Sequence, residues 1–95
     1  MRLFADVEGF EWDAGNSEKN LIKHGVTIAE CEEAFADEGK IVREDKEHSL
    51  TEIRHHLLGK TNRGRLLFIS FTVRGDKIRV ISARAAHKRE RAYYG

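Results

Sequence analysis

Two arginines in the second half of the chain have the chemistry to hold a phosphate. Arg79 stands inside an apolar run typical of a β-strand, and Arg84 stands where that run ends. A guanidinium stays charged at cellular pH and presents a planar fork of N–H donors that matches phosphate oxygens. Without any ligand, Arg79 would also suit an edge strand and Arg84 the start of a helix. The pair therefore indicates a phosphate site only if further suitable groups lie near it.

Lys23 and His24 form a second group of candidates, at the predicted end of the first helix. A histidine with a pKa of about 6.5 can exchange protons at cellular pH, and a lysine can stabilise charge that develops on phosphorus. The helix macrodipole alone favours cations at this position, which is the structural alternative. His48, in a polar segment of the chain, is the second candidate for proton transfer.

Metal and thiol chemistry find little support in the sequence. His55 and His56 are adjacent on a predicted strand, so their side chains point to opposite faces and do not readily share an ion. The chain has one cysteine, Cys31, and it falls on the apolar side of a predicted helix. That position is typical of a core residue, and no spacing suits zinc. We therefore expect neither a metal nor a cofactor.

Charge is divided unevenly along the chain. Residues 1–40 contain four Lys and Arg against ten Asp and Glu, a balance of −6, whereas residues 41–95 contain thirteen against six, a balance of +7. The net charge of +1 hides this division. A basic half that is rich in predicted strands suggests a polyanion as substrate or partner.

The hydrophobic pattern predicts a single domain, residues 1–95, of the α+β class. The predicted elements are a strand at 10–13, a helix capped by Asn16 or Ser17 that runs through His24, a helix from Thr27, strands at 41–44, 53–58, 65–73 and 77–84, and a short C-terminal helix. Thr27 and Glu30 have the spacing of a capping box at the second helix. Short connections predict that the last four strands are antiparallel neighbours. Arg84, Lys88 and Arg91 recur at i, i+4 and i+7, which would align them along the last helix.

The expected location is the cytoplasm, and no association with a membrane is expected. No apolar run approaches the roughly 20 residues that span a bilayer. The acidic N-terminus lacks the pattern of a signal peptide, and a lone cysteine fits a reducing compartment.

Taken in order, several segments resemble the BrnT toxin family of bacterial type II toxin–antitoxin systems. The matching segments are Phe10-Glu-Trp-Asp13, Asn20-Leu-Ile-Lys-His-Gly25, Glu33-Ala-Phe35, His48-Ser49 with Glu52 and Arg54, Gly59, Arg65-Leu-Leu-Phe68, Phe71-Thr72, and Ile78-Arg-Val-Ile-Ser-Ala-Arg84 with Lys88-Arg-Glu-Arg91. The resemblance implies a RelE-like fold, with an antiparallel sheet, two N-terminal helices and a short C-terminal helix. It also implies a ribonuclease that arrests translation and a BrnA-type antitoxin that neutralises it. The antitoxin would carry the DNA-binding region, so operator DNA is contacted only through it.

The leading hypothesis is an RNA endonuclease that needs no metal. The predicted catalytic residues are Lys23, His24, Arg79 and Arg84, and the predicted substrate-binding residues are His48, Arg54, Arg65, Lys88, Arg91 and Tyr93. The alternative is a basic module without catalysis that binds nucleic acid or an acidic protein partner. In either case the acidic residues of the second helix, Glu30, Glu32 and Glu33, are expected to face solvent or a basic part of the antitoxin.

Overall fold

A five-stranded β-sheet organises the chain in this computed structural model, which describes residues 9–12, 24–48 and 52–94. The strands are β1 (Gly9–Glu11), β2 (Ile41–Asp45), β3 (Arg54–Lys60), β4 (Leu66–Arg74) and β5 (Lys77–Ala85), and the helices are α1 (Ile28–Ala36) and α2 (Lys88–Tyr94). A 3-10 turn at Lys46–His48 follows β2. The predicted α+β class is confirmed. None of the helices in the described ranges is long and apolar enough to cross a membrane.

Helix α1 begins where the sequence predicts, because Thr27 and Glu30 form a capping box. The Thr27 hydroxyl accepts from the Glu30 backbone N–H at 3.0 Å, and the Glu30 carboxylate accepts from the Thr27 N–H at 3.0 Å. Cys31, Ala34 and Phe35 form the buried side of the helix. Burial raises the pKa of the Cys31 thiol to about 12. This cysteine is therefore a core residue, as predicted.

The sheet is mixed rather than antiparallel throughout, which corrects the predicted topology. The strands lie in the order β1-β5-β4-β3-β2. The last four are antiparallel neighbours, as predicted, but β1 runs parallel to β5 with Phe10 opposite Ile78. Three residues of alternating pattern do not reveal the direction in which a strand pairs. The predicted first helix, capped by Asn16 or Ser17, lies outside the described residues except for His24.

Helix α1 covers one face of the sheet, and the core lies between them. Ile69 and Phe71 of β4 are fully buried there. Phe35 of α1 meets Phe71 edge-on with ring centroids 4.9 Å apart, an arrangement that aromatic pairs favour. A glycine lets the helix approach the sheet closely, since a Cβ at Gly59 would overlap the carbonyl oxygen of Ala34.

A β-bulge in β5 changes which side chains share the other face of the sheet. The partner pairs on either side of the bulge are Ser82 with Ser70 and Val80 with Phe71. Ile81 is therefore an extra residue. In a regular strand, side chains five positions apart point to opposite faces. The extra residue shifts the alternation by one, so that Arg79 and Arg84 point to the same face.

Helix α2 lies across one end of that second face. The Tyr94 hydroxyl donates to the Asp37 carboxylate at 2.5 Å, and the same carboxylate accepts from the Lys60 backbone N–H at 2.8 Å. Asp37 follows the last residue of α1, so this carboxylate links both helices to the end of β3. The hydrogen bond from Tyr94 anchors the C-terminal end of α2.

Arg84 belongs to β5 and not to the last helix, which begins at Lys88. The predicted helical alignment of Arg84 with Lys88 and Arg91 is therefore wrong. The strand continues through Ala85, which pairs with Leu67 of β4 one residue beyond the predicted end.

Candidate functional site

The arginine face, formed by the side chains of β2 to β5 that point away from α1, carries three of the predicted site residues, Arg54, Arg79 and Arg84. Cross-strand partners set its layout, since directly opposite residues point to the same side. From β5 to β2 its three rows are Arg79, Thr72, Arg54 and Asp45; Ser82, Ser70, His56 and Arg43; and Arg84, Phe68, Leu58 and Ile41. Neighbouring strands are about 4.8 Å apart. Two small serines occupy the middle of the face, with cations and a histidine around them.

Arg79 and Arg84, at two corners of this face, are each held by a carboxylate. Nη1 of Arg79 lies 3.2 Å from Oε1 of Glu11 on β1. Arg84 makes a two-pronged pair with Glu90 of α2, with both N–O distances at 2.7 Å. The hydrogen bonds from Arg84 lower the pKa of Glu90, so the pair stays ionised in the neutral range. The two predicted phosphate-binding arginines therefore share one surface, and each is oriented by a partner.

His56 lies in the middle row of the arginine face, and the sequence had suggested it only as an unsuitable metal ligand. Its Nε2 lies 3.0 Å from Oδ2 of Asp45, and its ring lies 4.6 Å from that of Phe68. A carboxylate on one ring nitrogen fixes the orientation and the tautomer of an imidazole. The sequence did contain a signal for this residue, because His56 follows Arg54 by two positions on one strand and must share its face.

His55 and His56 point to opposite faces of the sheet, as predicted. His55 stacks on Phe71 of the core with ring centroids 5.2 Å apart, and burial lowers its pKa. Within the described ranges, no three His, Cys, Asp or Glu side chains lie together in a way that could hold a metal ion.

The other predicted binding residues on and around the arginine face are more scattered. Arg54 stands in the same row as Arg79. Lys88 and Arg91 are exposed on α2. Tyr93 of α2 is 59% exposed, and its ring centroid lies 5.2 Å from Cζ of Arg43. Two predicted residues lie outside the described part of the structure: Lys23 and the side chain of His48.

Arg65 and His24 lie at the start of α1, on the other side of the sheet. Nη1 of Arg65 donates to the Gly25 carbonyl at 2.8 Å and pairs with Glu30 at 3.2 Å. Nη2 of Arg65 donates to the His24 carbonyl at 3.5 Å. Arg65 thus ties the segment before α1 to the start of β4, and the structure does not bring these residues together with the arginine face.

The acidic residues of α1 make hydrogen bonds within the chain. Glu32 accepts from Nε1 of Trp12 at 3.2 Å, and Glu33 accepts from the backbone N–H of Asn62 at 2.9 Å. The backbone hydrogen bond from the Thr27 N–H is the main cause of the lowered pKa of Glu30. These carboxylates fasten α1 to neighbouring segments.

A cavity of about 210 Å³ opens between α2 and the arginine face. It is lined by Ile41, Arg43, His56, Leu58, Phe68, Glu90 and Tyr93. Phe68 and Glu90 also contact Arg84, whose Cζ lies 4.4 Å from the Phe68 ring centroid. The cavity therefore adjoins one of the two site arginines.

These features define a small α+β protein with a cation-rich face on its sheet, a class suited to binding a nucleic-acid backbone. The family model for the ribonuclease toxin BrnT of type II toxin–antitoxin systems matches residues 12–90. The chain therefore belongs to the BrnT family of ribonuclease toxins, as the resemblance of its segments indicated. Membership of a type II system implies an antitoxin partner.

A solved structure shares the fold of this chain. It is the crystal structure of the Brucella abortus ribonuclease toxin BrnT, which superposes with a TM-score of 0.65 at 24% identity, over 84% of this chain and 97% of that chain. At this identity the likeness shows the fold alone. No protein with a curated description matches the chain in sequence.

Proposed function

We propose that this chain is a metal-independent endoribonuclease of RelE-like fold that cleaves RNA in the cytoplasm and arrests translation. The observation that carries the proposal is that Arg79, Arg84 and His56 share one face of the sheet, around two small serines. Two guanidinium groups can hold a phosphate and stabilise the extra charge of a five-coordinate phosphorus. An imidazole can move a proton near neutral pH.

The reaction starts from the 2′-hydroxyl of the RNA itself. Its oxygen forms a bond to the adjacent phosphorus, and the bond from that phosphorus to the 5′-oxygen of the next nucleotide breaks. One proton leaves the 2′-hydroxyl and one is added to the departing oxygen, which gives a 2′,3′-cyclic phosphate and a 5′-hydroxyl. We assign one of these transfers to His56, because Asp45 orients its ring. His48, the second candidate from the sequence, is left for the other transfer, because His24 lies with Arg65 on the other side of the sheet.

Cleavage of RNA by the purified chain in the presence of EDTA tests this proposal. Activity should persist in EDTA and should fall roughly 10²- to 10⁴-fold in His56→Ala, the usual contribution of a proton-transfer group. The double variant Arg79→Ala with Arg84→Ala should lose more. Arg63→Ala removes an exposed charge from the β3–β4 turn and is the matched control, with activity equal to the parent.

Two results would overturn the assignment. Loss of cleavage in EDTA would refute metal independence, and undiminished cleavage by the double arginine variant would refute the site. Circular dichroism must show that each variant is folded. A 2′-deoxy nucleotide at the cut should block cleavage by the parent, since the nucleophile is then missing.

A basic module without catalysis is the second candidate, and the carboxylate partners of the arginines favour it. An acidic protein segment could replace Glu11 and Glu90 against the same guanidinium groups. Growth after induced expression separates the two functions. Arrest by the parent, and its loss in the double arginine variant, supports the ribonuclease. Harmless expression of folded protein supports the binding module.

The antitoxin partner in this proposal is of the BrnA type, and it contacts the acidic side of α1 with a basic segment. The support is the charge division of the chain, with Glu32 and Glu33 on that helix. The variant Glu32→Lys should weaken antitoxin binding more than RNA cleavage, and equal losses would count against the surface. Operator DNA should shift in a gel only with the complex, because the antitoxin supplies the DNA-binding region.

A further inference from the structure

The cavity under α2 has the volume and lining of a site for a flat aromatic group. Ile41, Leu58 and Phe68 supply an apolar floor from three adjacent strands, and Tyr93 of α2 lies opposite. Its volume of about 210 Å³ is below the range of roughly 300–1,000 Å³ that holds a drug-sized ligand. One nucleobase is a ligand of the appropriate size. Proteins that read single-stranded RNA hold unstacked bases against aromatic side chains and guanidinium planes in this way.

Two ionisable side chains of the cavity, Arg43 and Glu90, complement the edge of one base better than the others; the cavity is also lined by His56, the proton-transfer residue of the proposed function. Arg43 offers N–H donors beside Tyr93, and an arginine pairs with O6 and N7 of guanine. Glu90 offers an acceptor. Its Oε1 accepts from Arg84 and from the His87 N–H, and its Oε2 accepts from Arg84. A carboxylate has about four acceptor positions, so Oε2 keeps one for the N1–H or the amino group of guanine.

The cavity lies beside the group that would hold the phosphate. Phe68 packs under the guanidinium of Arg84 at 4.4 Å, and Glu90 pairs with the same guanidinium at 2.7 Å. A nucleotide whose phosphate reaches Arg84 therefore has its base next to the cavity mouth. Arg43 and Tyr93 are both exposed, so the entrance of the cavity is accessible from solvent.

We infer that this cavity binds the guanine base of the nucleotide adjoining the phosphate that is cut. The inference rests on the proposed function, because it places the base relative to a phosphate on Arg84. Arg43 and Tyr93 are specificity-determining residues in this arrangement. Arg43 reads the edge of the base, and Tyr93 covers its face.

Cleavage of RNA strands that differ only in the nucleotide at the cut tests this site. With guanosine there, kcat/KM should be roughly 5- to 100-fold higher than with adenosine, cytidine or uridine, the discrimination expected of one good arginine–base pair. Arg43→Ala should remove most of that preference. Replacing guanosine by 7-deazaguanosine, which lacks N7, should slow the parent but leave Arg43→Ala unaffected. Arg63→Ala is the matched loss of a cation and should keep the preference.

The role of Tyr93 has its own pair of variants. Tyr93→Ala should lower affinity for guanine-containing RNA by roughly 5- to 100-fold, the effect of losing one stacking aromatic. Tyr93→Phe keeps the ring and should retain the affinity. A purely structural role in anchoring α2 would instead reduce cleavage of all four strands equally in Tyr93→Ala.

Binding of a strand with a 2′-deoxy nucleotide at the cut separates this inference from the proposed function. Titration followed by fluorescence of a labelled strand measures affinity without cleavage. A guanine preference that depends on Arg43, in a protein that does not cleave RNA, would uphold the base site and refute the ribonuclease mechanism. Cleavage without base preference, a preference for another base, or a guanine preference unchanged in Arg43→Ala and Tyr93→Ala would overturn the base site.

Discussion

The pair of Arg84 and Glu90 should contribute about 2 kcal/mol to the attachment of α2. Exposed ion pairs contribute about 0.2–1 kcal/mol, whereas a hydrogen bond to a charged group contributes about 1.5–3 kcal/mol. Both N–O distances here are 2.7 Å, and the two side chains are only 28% and 19% exposed. Two-pronged geometry with partial burial places the coupling within the second of these ranges.

A double-mutant cycle measures this coupling. The variants are Arg84→Ala, Glu90→Ala and both together, unfolded in urea and followed by circular dichroism. The cycle cancels the contact with Phe68 that Arg84→Ala also removes. With a urea slope of about 1–3 kcal/mol per M, either single variant should unfold at a clearly lower urea concentration. Once one partner has been replaced, replacing the other should lower the free energy of unfolding by much less.

The pH dependence of the same cycle gives a second criterion. Because the pKa of Glu90 is lowered in the folded chain from its ordinary value of 4.5, the stabilisation is complete above that value and is lost as pH falls through the folded pKa. The coupling should therefore be full at pH 7 and decline in acid below pH 4.5. A coupling under about 0.5 kcal/mol at pH 7 would refute the reasoning, since that is the value of a solvated surface pair.

Three further predictions concern the framework. Gly59→Ala should lower the free energy of unfolding by about 1–3 kcal/mol, because the new Cβ overlaps the Ala34 carbonyl oxygen; an unchanged urea midpoint would contradict this. The Cys31 thiol, with its pKa raised by burial to about 12, should react with a thiol reagent at neutral pH only after unfolding; equal rates in both states would show that it is accessible. Burial alone would raise the pKa of Asp37, but hydrogen bonds from Tyr94 and two backbone N–H groups lower it. Its contribution is thus present above the ordinary value of 3.8 and lost as pH falls through the folded pKa, so Asp37→Asn should flatten the acid dependence of stability, and an unchanged profile would argue against this link.

Local patterns were sufficient to predict much of the framework. The capping box of Thr27 and Glu30 depends on residues three apart, and the antiparallel strands from β2 to β5 depend on short connections. Both are therefore visible in the sequence. The parallel pairing of β1 with β5 joins residues far apart along the chain, and no local pattern encodes it.

The candidate site was harder to predict, because it depends on the bulge at Ile81. Simple alternation along β5 would place Arg79 and Arg84 on opposite faces, and only the register with β4 shows that they share one. His56 could have been grouped with Arg54 by its spacing. Its pair with Asp45 depends on the pairing of β2 with β3, which the sequence alone did not align.

Because both arginines already have carboxylate partners, an anion that binds them exchanges with a carboxylate of the protein. A phosphate that binds Arg79 or Arg84 must displace Glu11 or Glu90 from the guanidinium, or share the guanidinium with it. The net free energy of phosphate binding is therefore the difference between two similar contacts. A small free anion gains little from that difference. When one phosphate of a polymer is bound at one arginine, its neighbouring phosphates are tethered close to the other arginine and so have a high effective concentration there. The face is thereby suited to selecting chains of phosphates over the single phosphates that surround them in a cell.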